Sequence, residues 1–360
     1  MGVKIKELIT KTTISFDLLK GKIIAIDAPN IIFQFFGFVL DRENSSNLFI
    51  DRTQKPINHL YGLLYRVNFL YSKKILPIFC FDGKVNEFKR LITKNELHDY
   101  LTVKKWYKTA LTQGNKKKAR NIALSRDFFW YNIIEESKLL LSKMGIPYIE
   151  APSCAEAQCA FLVKNRIADY ANTADYDALL FGSPYIVQNL SKSQKRKING
   201  RWIYNKITPM QIDLKFNLKK LKINIFQLID IAILVGNDYF KGISHIGAKT
   251  AYNLIKKYGN LESLIFKENN NYNFSELSEH KILELRKIFL FPEIKKISEP
   301  LLWNIPDDIN LFNFLCLEHS LNKERIKNII NRLINNYKEC INYFKRTISN
   351  HSKLIQTTLF

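Results

Sequence analysis

The sequence predicts an α/β fold in which a mainly parallel central sheet is flanked by helices. Two apolar runs without alternation, 22–27 and 75–82, are typical of strands buried on both faces. Between them, 59–71 has leucines and a valine at helical spacing. A strand, a helix and a second strand in this order form a unit whose strands are parallel. Both runs end in an aspartate, and such sheets collect ligands at the carboxyl ends of their strands.

The chain then leaves the sheet in a polar, basic segment at about residues 84–126. A Gln-Gly-Asn break at 113–115 divides this segment, so we expect two helices. From Phe128 an apolar helix follows and ends at Gly145, a residue type favoured just beyond a helix C-terminus. The stretch 146–152 is predicted to be a third strand. Ser153 and Glu156 have the spacing of a capping box, which predicts the start of the next helix.

The remaining pattern adds strands, a hairpin and a helical C-terminal third. Strands are predicted at 171–174 and 185–190, and the basic segment 192–201 is typical of a hairpin with Asn-Gly at its turn. An apolar helix at 225–235 ends at Gly236, and the segment 242–249 joins it to a helix at 250–257. A long basic helix is predicted at 322–348, with a tail at 352–360.

The composition favours a polyanionic partner. The 360 residues include 55 Lys and Arg against 33 Asp and Glu, so the formal net charge is +22. This excess favours nucleic acid first and an acidic membrane surface second. Asp27, Asn30 and Gln34 interrupt the apolar run near the N-terminus, unlike a signal peptide or membrane span. Five cysteines without a C-x-x-C pair favour a reducing, intracellular location over a disulfide framework.

Six acidic residues stand where the predicted fold would gather them, at strand ends, a helix start and turns. Uncompensated carboxylates are unfavourable, and divalent cations relieve that cost. Oxygen ligands suit Mg²⁺ or Mn²⁺, and two such ions about 4 Å apart can activate a water and stabilise the leaving oxygen of a phosphodiester. Taken singly, each acid fits a turn or helix cap at least as well; together, in a basic protein, they favour metal. The six are Asp27, Asp82, Glu156, Asp175, Asp177 and Asp238.

Around these acids the sequence resembles the flap endonucleases of the XPG family of structure-specific 5′ nucleases, of the archaeal and eukaryotic type. The resemblance runs from Met1-Gly2 to about Gly259, with its blocks in family order and spacing. It implies a PIN-like nuclease core with a helical arch insertion and a helix–two-turn–helix motif that binds DNA. The blocks are Ile26-Asp27-Ala28, the segment 59–67, Phe81-Asp82-Gly83-Lys84, the segments 151–158 and 175–182, and Gly236-Asn237-Asp238-Tyr239.

The resemblance implies two Mg²⁺ ions, replaceable by Mn²⁺, held by seven acids, of which this chain supplies six. Cys154 stands where the family has the seventh, a glutamate. A thiol is mostly neutral at pH 7 and is a soft ligand, so the change predicts weaker metal binding, slower cleavage or altered metal preference, unless a neighbour compensates. Lys89 matches the family lysine that grips the scissile phosphate, whereas Glu96 replaces a second cation, with Lys94 nearby as a substitute. The implied catalytic residues are Lys89, Asp27, Asp82, Glu156, Asp175 and Asp177, and Asp238 completes the metal ligands.

The resemblance also implies contacts to DNA. A family aromatic stacks on the base at the junction, and Phe33 occupies its place; core packing is the alternative. A 5′ flap would pass through the arch. The duplex would lie along the basic hairpin and the helix–two-turn–helix, where a K⁺ ion helps to bridge the protein and the DNA backbone. For the basic residues of the arch, the alternative is that they are solvated surface side chains. For the helix–two-turn–helix, the alternative is a plain turn between two helices. The implied DNA-binding residues are Gly2, Phe33, Arg66, Lys84, Lys94, Lys195, Arg196, Lys197, Gly242, Gly247 and Lys249.

We therefore expect a nuclease core at 1–260, with the arch at about 84–126 and the helix–two-turn–helix at about 225–258. A helical region at 261–350 would pack on the core. In the tail at 351–360, Gln356, Leu359 and Phe360 resemble a truncated sliding-clamp (PCNA) motif; a frayed terminus is the alternative.

The expected activity is a metal-dependent 5′ flap endonuclease and 5′–3′ exonuclease of DNA replication and repair. Its partner would be branched double-stranded DNA with a 5′ flap, and we expect a monomer without a membrane partner. The location would be a prokaryotic cytoplasm or a eukaryotic nucleus. One alternative is a DNA-junction binder of the same fold that has lost turnover, and another is a related nuclease that acts on gaps, Holliday junctions or RNA.

Overall fold

The structure is a computed structural model that describes residues 2–36, 49–83, 94–191, 193–198 and 201–357. Its strands are β1 (Thr12–Thr13), β2 (Ile23–Asp27), β3 (Leu76–Phe81), β4 (Tyr148–Glu150), β5 (Tyr170–Asn172), β6 (Tyr185–Gln188), β7 (Ser193–Ile198), β8 (Arg201–Lys206) and β9 (Met210–Asp213). A seven-stranded sheet has the order β1-β9-β6-β5-β2-β3-β4. Neighbours from β6 to β4 are parallel, and β9 is antiparallel to both β6 and β1. The predicted mainly parallel sheet is confirmed.

Helices cover both faces of this sheet. In the described residues they are α1 (Ala28–Gln34), α2 (Asn58–Ser72), α3 (Lys94–Thr112), α4 (Lys116–Ala123), α5 (Arg126–Lys143), α6 (Ala155–Lys164), α7 (Asp177–Leu180), α8 (Leu214–Leu221), α9 (Ile225–Val235), α10 (Ala248–Tyr258), α11 (Leu261–Glu268), α12 (Glu279–Leu290), α13 (Asp308–Phe312) and α14 (Lys323–Thr357). A 3₁₀ turn covers Phe16–Leu19 and a π-helical turn covers Asn313–Glu318. None of the helices within the described ranges is both long and apolar enough to cross a bilayer.

The two faces of the sheet explain the apolar runs in the sequence. In β2, Ile24 and Ile26 pack into a core that contains residues of α2, α5 and α14. Ala25, between them, packs into the opposite core with residues of α6, α9 and α10. Because both faces are covered, the strand has no solvent-facing positions for polar residues, and its first polar side chain is at its carboxyl end.

The part of the basic excursion that the structure describes, from residue 94 on, contains two helices, as predicted. Gly114 adopts a φ of +68° between α3 and α4, and the Asn115 side chain caps α4 by accepting from the backbone N–H of Lys118 at 3.0 Å. A small apolar cluster joins both helices to the start of α5. Its buried members are Tyr107, Ala110, Ala119, Ala123 and Phe128.

The C-terminal third packs back onto the sheet and α2. The Trp303 indole N–H donates to the carbonyl of Pro77 in β3 at 2.7 Å, and the ring of Tyr337 on α14 lies 5.7 Å from that of Tyr71. Helix α14 extends to Thr357, so much of the segment predicted as a tail has helical backbone. Of the predicted clamp-motif residues, the side chain of Gln356 is not described, and Leu359 and Phe360 lie outside the described residues.

Candidate active site

Two of the predicted acids lie at the carboxyl ends of neighbouring parallel strands. Asp27 ends β2 and is the N-cap of α1, where its Oδ1 accepts from the backbone N–H of Asn30 at 3.2 Å. Its Oδ2 accepts from the Thr173 hydroxyl at 2.9 Å. Asp82 follows β3 and accepts from the backbone N–H of Ala155, the first residue of α6, at 2.7 Å. The cap interpretation is therefore correct for Asp27, yet the cap occupies only one carboxylate oxygen.

The predicted capping box at the start of α6 is wrong. The N-cap is Cys154, and the Ser153 hydroxyl donates to the carbonyl of Glu293 at 2.9 Å. Ser153 is thus one residue too early to cap, and its hydroxyl is used in a long-range contact. Glu156, in the first turn, is buried at 8% exposure beside Asp27 and Asp177. It therefore belongs to the acidic cluster.

Asp175 and Asp177 join the cluster through the N-terminal segment. Asp177 is the first residue of α7, and its Oδ2 accepts from the backbone N–H of Val3 at 3.0 Å, so it does not cap the helix. Asp175 accepts from the side-chain amide of Asn30 at 3.1 Å. A Cβ on Gly2 would lie 2.6 Å from the Cβ of Asp175 and closer still to Asp177. Only glycine fits at position 2, so the N-terminus is packed directly against these acids.

Asp238 reaches the cluster from the turn after α9. The Asn237 side chain accepts from the backbone N–H groups of Tyr239 and Phe240 at 2.9 and 3.1 Å. This turn presents Asp238 toward Asp177, whose pKa it raises. The same turn leads into the predicted helix–two-turn–helix, so the acid cluster and that motif are continuous in the chain.

Mutual repulsion marks the cluster as a site of uncompensated negative charge. Burial, together with Glu156 and Asp82, raises the pKa of Asp27 well above its usual range. Burial, together with Glu156, Asp238 and Asp175, does the same to the pKa of Asp177. Glu156 is the common neighbour, which divides the acids into two groups that share it. One group is Asp27, Asp82 and Glu156; the other is Asp175, Asp177, Asp238 and Glu156.

This donor set fits hard divalent cations. Within the described residues, no three His, Cys, Asp or Glu side chains form a group that could hold an ion by itself. Mg²⁺ keeps several waters and takes only one or two carboxylates per ion, so it does not require such a group. A cation placed among the acids would remove the repulsion that raises the pKa of Asp27 and Asp177.

The raised pKa of Asp177 predicts how the stability of the metal-free protein depends on pH. A carboxyl whose folded-state pKa lies above its unfolded value stabilises the fold at low pH and loses that contribution as pH rises through the folded-state pKa. Compared with an Asp177→Asn variant, the wild type with chelator should lose thermal stability from pH 5 to pH 8, and Mg²⁺ should restore it. Other titrating groups are common to both proteins, so parallel melting curves at both pH values would contradict the prediction.

Two of the expected DNA-binding residues lie at the C-terminal end of α1 or against its C-cap, Phe35. Phe33 is 53% exposed and stacks on Trp130 of α5, with ring centres 5.4 Å apart and planes inclined by 15°. Core packing is therefore wrong for Phe33. The Arg66 guanidinium lies 5.8 Å from the Phe35 ring, and burial lowers its pKa to about 10. A phosphate beside this desolvated cation would restore the favourable interaction that burial removed.

The segment between α9 and α10 has the geometry of a phosphate-binding turn. Gly242 adopts a φ of +83°, and a Cβ there would lie 2.6 Å from the backbone of Val235 and Gly236. Gly247 is the N-cap of α10, and the space around it is open. The Lys249 side chain is 77% exposed, with its ammonium 3.5 Å from Glu7. Open backbone N–H groups at a helix N-terminus, next to an exposed lysine, suit a phosphate.

Several expected site residues or their side chains lie outside the described part of the structure. Lys84 and Lys89 lie outside the described residues, and the side chains of Lys94, Lys195, Arg196 and Lys197 are not described. The backbone pairing of the predicted hairpin is confirmed, because β7 pairs antiparallel with β8 and Ile198 is the partner of Arg201.

Some residues of the site were not found from the sequence. Asn30 and Thr173 each bond to one acid of either group. Asn30 donates to Asp27 through its backbone N–H and to Asp175 through its side chain. The Thr173 hydroxyl donates to Asp27 and accepts from the backbone N–H of Asp175 at 3.2 Å. Asn30 stands three residues after Asp27, which was an available signal. A separate group joins α2 and α14, where Arg325 donates to the Tyr65 hydroxyl at 2.8 Å and lies over the rings of Tyr61 and Tyr65. Stacked rings with an arginine can bind bases, but 260 residues separate these partners, so no local pattern connects them.

All six acids lie in regions of the chain that match known protein families. The sequence model of the XPG N-terminal domain matches residues 1–97, and that of the XPG I-region matches residues 145–238. Every acid of the cluster lies inside one of these two regions. Flap endonuclease 1 of Methanosarcina acetivorans is 36% identical over 335 residues, which are 92% of this chain and 96% of that protein.

Solved structures share the fold over most of the chain. Flap endonuclease-1 from Methanococcus jannaschii superposes with a TM-score of 0.69 at 30% identity, covering 94% of this chain and 99% of that one. The catalytic core of Rad2 in complex with DNA substrate superposes with a TM-score of 0.64 at 24% identity, covering 90% of this chain and 95% of that one.

Proposed function

The chain belongs to the XPG family as a flap endonuclease, and we propose that it hydrolyses DNA at the base of 5′ flaps with two Mg²⁺ ions as cofactors. The observation that carries this proposal is the cluster of six carboxylates from strand ends, helix starts and a turn, in which the buried Asp27 and Asp177 have raised pKa values. In a chain of net charge +22, this local negative charge stands out against a surface suited to polyanions. The related proteins are named as nucleases, which favours turnover over the binding-only alternative.

We propose that the six acids hold the two ions in two groups that share Glu156. When bound, such ions lower the pKa of a water and stabilise the charge that develops on the phosphate. The protein's own contribution is orientation. The backbone N–H of Ala155 holds Asp82, that of Val3 holds Asp177, and Asn30 holds Asp175. In this proposal Lys89 would grip the scissile phosphate.

The DNA path proposed here follows the basic and aromatic residues that the family resemblance assigns to DNA binding. The duplex would lie along the turn at 242–249 and the hairpin β7–β8, the latter through Lys195, Arg196 and Lys197. Phe33 and Arg66 would contact DNA near the acids, and the 5′ strand would pass beneath α3 and α4. The DNA bound to the similar Rad2 core supports a nucleic-acid partner. A K⁺ ion at the two-turn segment, a sliding clamp (PCNA) at the C-terminus, a monomeric state and an intracellular location complete the proposal.

A single substitution can separate phosphate binding from helix capping at the two-turn segment. Asp at position 247 would be a better N-cap of α10 than glycine, yet its charge would repel a phosphate placed there. We expect Gly247→Asp to weaken duplex binding by about tenfold without lowering thermal stability. Gly247→Ser provides the cap without the charge and should bind DNA nearly as the wild type does. Fluorescence anisotropy with labelled duplex measures the DNA affinity of both variants. Equal affinities would contradict the placement of a phosphate at the N-terminus of α10.

The function itself is tested with a 5′-labelled double-flap DNA in Mg²⁺. The wild type should release a product cut near the flap base, and Asp175→Ala should bind the same DNA without cutting it. Tight flap binding without cleavage by the wild type, in both Mg²⁺ and Mn²⁺, would overturn the enzyme proposal in favour of a junction binder. Cleavage of an unbranched duplex at the same rate would overturn the flap specificity.

A further inference from the structure

We propose that a buried polar cluster holds the C-terminal part of helix α3 in the position that the flap strand requires. This inference rests on the function proposed above. Its members come from the loop before α2, from α2, from α5 and from the turn after the π-helical segment. Their partners are up to 268 residues apart in the sequence. We call this set the buried polar cluster: Asp51, Lys55, His59, Glu136 and His319, of which all but Lys55 are more than nine-tenths buried.

Asp51 folds the loop and ties it to the C-terminal third. Its Oδ1 accepts from the backbone N–H and the hydroxyl of Thr53, at 2.8 and 2.7 Å, and from the backbone N–H of Lys55 at 3.0 Å. Its Oδ2 lies 3.0 Å from Nδ1 of His319. One carboxylate therefore sets both the conformation of the loop and its position on the core.

Glu136 gathers the remaining groups on α5. Its Oε1 lies 2.8 Å from the Lys55 ammonium and 3.9 Å from Nε2 of His319, and its Oε2 lies 3.2 Å from Nε2 of His59. Burial opposes ionisation of Glu136, but these neighbours outweigh it and lower its pKa to about 2. Burial also lowers the pKa of His59. Of these three neighbours, the Lys55 ammonium makes the shortest contact with Glu136.

Tyr107 links helix α3 to this cluster. Its hydroxyl donates to the carbonyl of Thr53, and the Lys55 ammonium lies 5.8 Å from the centre of its ring. The ring of Tyr107 also contacts that of Phe128, at the start of α5, with ring centres 4.8 Å apart. Tyr107 thus contacts both the loop that Asp51 folds and the helix that carries Glu136.

The charge content of the cluster argues for a geometric role. Replacing buried ion pairs by apolar residues is often neutral or stabilising, so such pairs are poor sources of stability, whereas their bonds fix direction and distance. What its bonds define is the position of α3 relative to α2, α5 and the C-terminal third.

Tyr107→Phe tests the link, because it removes the hydroxyl and leaves the ring. Tyr71→Phe is the matched control, since Tyr71 is equally buried and its hydroxyl has no hydrogen-bond partner in the described structure. We expect amides of Lys94–Thr112 to exchange with deuterium roughly three- to tenfold faster in Tyr107→Phe, the range of one hydrogen bond, and unchanged in the control. The KM for flap DNA should rise by a similar factor at unchanged kcat, while cleavage at a flapless nick stays the same.

Asp51→Asn provides an independent second variant, which keeps the turn acceptor and removes the charge facing His319. It should accelerate exchange in α3, and combining it with Tyr107→Phe should add little, because both break one chain of bonds. Unchanged α3 exchange in both variants, or equal loss on flap and nick substrates, would overturn the proposal. Should the wild type fail to cut flaps, the proposed function falls, and exchange and flap affinity still decide whether the cluster positions α3.

Discussion

Asp27→Asn is expected to reduce flap cleavage by about a thousandfold or more while raising the stability of the metal-free protein. Asp27 is buried at 2% exposure, and Glu156 and Asp82 help to raise its pKa. Removing its charge weakens the hold on a cation whose transition-state stabilisation is worth several kcal/mol. The same change relieves repulsion among carboxylates when no cation is present, so the two effects have opposite signs.

Asp213→Asn is the matched control for this experiment. Like Asp27, Asp213 is the last residue of a strand and the N-cap of the following helix, and its Oδ1 accepts from the backbone N–H of Phe216 at 2.8 Å. An Asn at either position can still cap. Single-turnover cleavage and thermal unfolding with chelator should therefore distinguish them. If both variants lose activity equally, or if Asp27→Asn melts lower than the wild type without metal, Asp27 is a structural cap and not a ligand.

The strand ends that carry this prediction were accessible from the sequence for a physical reason. Strands β2 and β3 are covered on both faces, so their runs of apolar residues stop only where the strand reaches the edge of the sheet. The first polar residue after such a run, Asp27 or Asp82, must then lie at the carboxyl edge. Helices α2 and α9 were found for a similar reason, because one or all of their faces are buried and the spacing of apolar residues records it.

Contacts between distant segments were not accessible in this way. The local sequence places the cap of α6 at Ser153, because nothing near it in the chain shows that the carbonyl of Glu293, 140 residues away, accepts its hydroxyl. The buried polar cluster is a stronger example. Asp51 and His319 are each typical of a surface turn in their local sequence, and only the packing of the C-terminal third against the loop buries them together.

Cys154→Glu is expected to tighten Mg²⁺ binding by about 10- to 100-fold, the effect of one added carboxylate near a divalent ion. Cys154 caps α6 two residues before Glu156, and its side chain is buried. A glutamate there would add a seventh acid, at the position where the resemblance implies one. Flap cleavage should then saturate at lower Mg²⁺ concentration, and binding can be followed independently by calorimetry with Mg²⁺ in the absence of DNA.

Cys154→Ser separates the added charge from a change at the helix end. Serine is a good N-cap, so this variant should gain stability with and without metal, and its Mg²⁺ affinity should stay near that of the wild type. Cys154→Glu should behave differently, because a further buried carboxylate increases the repulsion that already raises the pKa of Asp27 and Asp177. It should therefore melt lower than the wild type in chelator and gain more stability from Mg²⁺. Equal Mg²⁺ affinity in all three proteins would mean that position 154 lies outside the reach of the ions, and that six acids make the complete site.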